Sequence, residues 1–91
     1  MKKVWDAIKD ETRRKILGLL RKQEMTAGEI VEHFETSQPT ISHHLSVLRD
    51  AGLIVATKSA QSVIYSIHKP TFQDFVLKLD ELFGLGFAKK V

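Results

Sequence analysis

Cysteine is missing from the 91 residues. Its absence removes disulfides, thiolate metal sites and thiol nucleophiles together. Two prolines and five glycines are too few for a disordered or fibrous chain. No stretch approaches the ~20 consecutive apolar residues of a membrane span. The opening Met1-Lys2-Lys3-Val4-Trp5-Asp6 has no apolar run behind its lysines, so no secretory leader is expected. No Ser-His-Asp order, paired-carboxylate pocket or glycine-rich phosphate loop stands out. Neither a catalytic substrate nor a cofactor is therefore expected. What is present is a 43% hydrophobic chain of a length that fits one domain, residues 1–91, in the cytoplasm. So short a chain buries only roughly 60–65% of its unfolded surface, which predicts a marginal monomer.

Charge is unevenly spread. The whole chain carries a net +3 and a pI near 9.3, which suits a polyanionic partner without demanding one. Residues 1–25 are net +4, residues 26–52 net −3 and residues 53–91 net +2. The middle segment, the least basic, is also the one whose pattern says most.

Val4, Trp5 and Ile8 recur at helical spacing and predict a short first helix. Asp10 is placed to cap a second helix reaching about Arg21, with Ile16, Leu17 and Leu20 inward. Residues 22–25 read as a loop. Thr26 and Glu29 then form a capping box for a third helix of about two turns, with Ile30, Val31 and Phe34 inward. Ser37 caps a fourth helix that has Pro39 in its first turn and Ile41, Leu45 and Leu48 on one stripe. Gly52 ends it. Residues 53–58 and 62–68 read as a hairpin around Ser59-Ala60-Gln61, with Val63, Tyr65 and Ile67 on one face. Thr71 is expected to cap a last helix with Phe72, Phe75, Val76, Leu79, Leu82 and Phe83 as its apolar stripe. The final Lys89-Lys90-Val91 reads as a mobile tail.

At 100° per residue, Ser42, His43 and Ser46 of the fourth helix oppose its apolar stripe. Thr40 lies at the edge of that face and Gln38 at the free N-terminal end. A merely solvated face usually carries Lys and Glu, whereas amide, hydroxyl and imidazole groups suit contact with base edges. Two short helices, a tight turn and a hairpin predict a mainly α (α+β) winged helix-turn-helix with five helices. The helix-turn-helix spans about 26–51 and the wing about 53–68. Such a fold places an α-helix in the major groove of double-stranded DNA.

The same residues carry a resemblance. Asp10-Glu11-Thr12-Arg13-Arg14-Lys15-Ile16-Leu17, Thr26-Ala27-Gly28-Glu29-Ile30 and Ser37-Gln38-Pro39-Thr40-Ile41-Ser42-His43-His44-Leu45-Ser46-Val47-Leu48 resemble the ArsR family of winged-helix repressors. So do Ala51-Gly52-Leu53-Ile54 and Tyr65-Ser66-Ile67. Within that family the chain is most similar to the short, cysteine-free Sdp-type autorepressors. The resemblance implies a homodimer that binds an inverted-repeat operator and blocks transcription, with a membrane protein that sequesters it as the releasing partner. The family's thiolate metal site maps onto Thr26 and Gly28, and the last helix has Asp74, Asp80 and Glu81 but no histidine. No metal site is therefore expected.

Ser37, Gln38, Thr40, Ser42, His43 and Ser46 are the expected DNA contacts on the fourth helix. Arg49 at its end and Arg14 on the second helix are candidate phosphate contacts, alongside a solvated-face reading for Arg13, Arg14 and Lys15. Lys58 and Gln61 represent the wing, whose tip has one cation and no glycine; its contacts are expected to be weak. His44 is expected half-buried beside Leu48, and His33 and His68 as exposed or capping residues. Four of five phenylalanines, Phe72, Phe75, Phe83 and Phe87, fall in the last 20 residues. That excess predicts an isologous dimer across the helix at about 71–83, together with Val4, Trp5 and Ile8. A metal or small-molecule sensor and a protein-interaction module are the alternatives.

Overall fold

The computed structural model describes residues 1–86. Five helices and a three-stranded antiparallel sheet alternate as α1 (Lys2–Ala7), α2 (Glu11–Lys22), β1 (Met25–Thr26), α3 (Ala27–Val31), α4 (Gln38–Asp50), β2 (Ile54–Ser59), β3 (Ser62–Ile67) and α5 (Lys69–Phe83). The expected tail at 89–91 and Phe87 lie outside the described residues.

Local capping chemistry sets the helix starts. The Asp10 carboxylate accepts from the Arg13 backbone N–H at 3.0 Å. Thr26 and Glu29 form the reciprocal capping box, and Ser37 Oγ accepts from the Thr40 N–H. Each satisfies a backbone donor that a helix start would otherwise leave unpaired. At the end of α4, Gly52 takes φ 79°. Its N–H reaches Arg49 O and the Leu53 N–H reaches Leu48 O, the Schellman pair that stops a helix.

The core joins Ile16, Leu17 and Leu20 of α2, Ile30 of α3, Ile41, Leu45 and Leu48 of α4, and Leu53 and Ile54 at the entry to the sheet. The stripe expected on α4 is thus the part of that helix that packs inward.

Four expectations are corrected. Residues 22–25 are not all loop: β1 pairs with β3, Met25 opposite Tyr65 and Thr26 opposite Ile64. The sheet order is therefore β1-β3-β2. Helix α5 starts before Thr71, with His68 as N-cap and Pro70 in the first turn, where a missing N–H is harmless. His68 Nδ1 lies 2.8 Å from Thr71 Oγ1. Tyr65 and Ile67 pack on the core, but Val63 is 41% exposed because the hairpin runs past the core's edge. Finally, Val4 is 4% exposed within a single chain, so it belongs to the core and has no surface left for a dimer contact.

Candidate nucleic-acid interface

Helix α4 presents Gln38, Thr40, Ser42, His43 and Ser46 outward, all exposed, while Ile41, Leu45 and Leu48 anchor it. At the N-terminal end, Ser37 Oγ and Thr40 Oγ1 are 3.0 Å apart. One of their two hydroxyl protons makes that bond. The other can be donated to an external acceptor such as a phosphate oxygen. The N-terminal end of a helix also carries a partial positive charge that favours an anion there. This reading end has polar donors without a formal charge of its own.

His43 and His44 diverge as adjacent helix residues must, their ring centroids 5.9 Å apart. His43 is exposed, but the His44 side chain is only 14% exposed. His44 Nδ1 lies 3.2 Å from Arg13 Nη1. Arginine can only donate, so this nitrogen accepts and the imidazole proton belongs on Nε2. Arg13 also donates Nε–H to Ala7 O at 2.6 Å and Nη2–H to Asp6 O at 3.2 Å. A single guanidinium thus ties the end of α1 to α4. The Asp10 carboxylate sits 3.9 Å from His44 Nδ1. The Arg13 backbone N–H holds the Asp10 pKa below the ordinary value, opposed by partial burial and helped by the nearby Arg13 charge.

Sequence reasoning did not see this role for Arg13, because a cation on a short helix looks solvated until its tertiary neighbours are known. Arg14 is similarly placed: its Nη1 donates to Ile8 O at 2.7 Å and Lys9 O at 2.9 Å. It therefore finishes α1 with one nitrogen of its fork. Arg49 is 11 residues along α4 from Gln38, about 16 Å at helical rise, and borders a groove with Ile54, Val55 and His68. Lys58 and Gln61 are exposed beside the hairpin turn. Ala60 in that turn has φ 56°.

The expected dimer residues divide. Trp5 meets Phe75 edge-on within the chain, centroids 5.0 Å apart, and Ile8, Phe72 and Phe75 partly cover the core. Leu79 is half-buried. Val76, Leu82 (54%) and Phe83 (66%) are exposed. Leu77 and Leu85, not singled out from sequence, are exposed with them. Among the described residues no three His, Asp or Glu side chains gather as a metal-ligand group. None of the helices described is long and apolar enough to cross a membrane.

The model of the arsR family of bacterial regulatory proteins matches residues 10–55, from the cap of α2 to the start of β2. The transcriptional repressor SdpR of Bacillus subtilis (strain 168) is 47% identical over 76 residues, 84% of each chain. An arsenical resistance operon repressor of Staphylococcus aureus is 34% identical over 73 residues, covering 80% of this chain and 70% of that one. A crystal structure of an ArsR family transcriptional regulator superposes with a TM-score of 0.84 at 28% identity, covering 92% of both chains. With its capped reading helix, its wing and these likenesses together, the chain belongs to the arsR family of bacterial regulatory proteins and has the fold of a DNA-binding transcriptional regulator.

Proposed function

We propose that the chain, as a single winged unit in the cytoplasm, acts as a homodimeric transcriptional repressor bound to an inverted-repeat operator. The observation that carries this reading is the exposed, uncharged face of α4, Gln38 to Ser46, above a fully buried anchor stripe. Gln38 is the base reader: its amide pairs bidentately with adenine, worth about 1–3 kcal/mol of discrimination. Ser42 and His43 read or position. Ser37, Thr40 and Ser46 donate to phosphates and set register. Arg49, Lys58, Gln61 and the remaining guanidinium nitrogens of Arg14 add backbone contacts.

Val76, Leu82 and Phe83, with Trp5, Ile8, Phe72, Phe75 and Leu79 behind them, form the dimer face. Two recognition helices then enter successive major grooves, with half-sites ~10 bp apart centre to centre. The likeness to SdpR supports repression. A thiolate sensor of arsenic or mercury is disfavoured because the sequence has no cysteine.

Gln38→Ala with Ser42→Ala should abolish binding to the chain's own promoter while the mass in solution stays that of a dimer. Specific binding that survives both changes would refute the assignment. Leu82→Glu with Phe83→Glu should give a folded monomer with weak operator affinity. For release, a membrane partner of the kind the Sdp-type resemblance implies predicts that the repressor co-sediments with membranes under inducing conditions.

A further inference from the structure

Gly18 sits in the middle of α2. Glycine is the poorest helix former after proline, and a mid-helix glycine usually has a packing reason. Among the described residues there is none: a Cβ built on Gly18 meets no atom of another element within 4 Å. Gly18 is exposed and forms part of the rim of a half-open cleft of about 500 Å³ between α2, β3 and the first turn of α5. That volume is in the range of small-molecule sites. Leu17, Leu20, Ile67 and Phe72 give it apolar walls. Its polar lining is Arg21 and Lys69, opposed by Glu24, with the Ser66 residue beside them. The other flank of Gly18 opens on a shallower, more open groove lined by Leu19 and Phe34 with Lys15, Arg21, Lys22 and His33.

We infer that the α2–β3–α5 cleft is a binding site for an amphipathic organic anion, an apolar chain or ring ending in a carboxylate or similar group. The apolar body fills the space over Gly18 against Leu17, Leu20 and Phe72. The acid group meets Arg21 and Lys69, which outnumber Glu24. The site is separate from the outward face of α4, so ligand binding and operator binding are independently measurable.

The test uses the full chain and sodium decanoate below its micellar range, with decanol as the neutral control. Calorimetry should show saturable binding of one decanoate per chain. Amide NMR shifts should concentrate at Gly18, Arg21, Ser66 and Ile67. Gly18→Leu, which crowds the cleft with a better helix former, should weaken decanoate at least tenfold while promoter binding and dimer mass stay unchanged. Arg21→Gln with Lys69→Gln should weaken decanoate several-fold and leave decanol unaffected. No saturation up to about 1 mM would overturn the proposal. So would unchanged affinity in Gly18→Leu, or loss of the dimer in that variant, which would make a second copy the occupant. Loss of promoter binding in the Gln38 and Ser42 variants bears on the proposed function alone and leaves this site standing.

Discussion

Replacing Arg13 by alanine removes three donated hydrogen bonds, to Ala7 O at 2.6 Å, Asp6 O at 3.2 Å and His44 Nδ1 at 3.2 Å. Buried bonds from a charged donor contribute about 1.5–3 kcal/mol each. The residue is only half-buried, and water can take over the two α1 carbonyls, so these count for about 0.5–1 kcal/mol each. The largely covered His44 acceptor adds about 1 kcal/mol. The sum is about 2–3 kcal/mol, or roughly 10–20 °C of melting temperature for a domain of this size. Urea unfolding is the assay: the midpoint should fall while the m-value is unchanged. Arg13→Lys should recover only part, since one ammonium cannot span the three acceptors of a planar fork. A double-mutant cycle with His44→Ala isolates the link to α4. A loss below about 0.5 kcal/mol in Arg13→Ala, or zero coupling in the cycle, would refute the reasoning.

Gln38→Ala should weaken operator binding by about 5- to 150-fold, the 1–3 kcal/mol of one bidentate base contact, with unchanged thermal stability; a melting shift without an affinity loss would move Gln38 from reader to scaffold. Asp10 has a depressed native pKa. Its ionisation therefore contributes stability that is fully present above the unfolded value, near 3.8, and is lost as pH falls through the native one. Acid titration of unfolding should show that decline below about pH 4, flattened in Asp10→Asn, which keeps a capping oxygen. Ala60 sits at φ 56°, where an L side chain costs about 1–2 kcal/mol. After glycine's own entropy cost, Ala60→Gly should stabilise the protein by about 0.5–1 kcal/mol, read as a higher melting temperature with operator affinity unchanged. An equal or lower melting temperature would mean the turn is unstrained.

Much of the candidate site was legible because it is built from contacts within one helical turn. Ser37, Thr26 and Asp10 cap helices through residues three positions on, and the buried stripe and exposed face of α4 follow from helical period alone. The pairing of Met25 with Tyr65 was not legible. Two residues have no period, and their partner strand lies forty positions away. Nor does a lone valine in a six-residue helix reveal whether it meets its own core or another chain; Val4 goes inward because α1 packs on α4.

The order of amino acids by itself determined which stretches form helices, where α2, α3 and α4 start, and which side of α4 stays polar, since those outcomes depend on neighbours a few residues apart. Only the tertiary structure decided that Arg13 clamps α1 to His44, that Arg14 closes α1 and that Gly18 rims a cleft. These depend on groups far apart in the chain brought within bonding distance, and a guanidinium or a missing side chain shows its role only against the surface it faces.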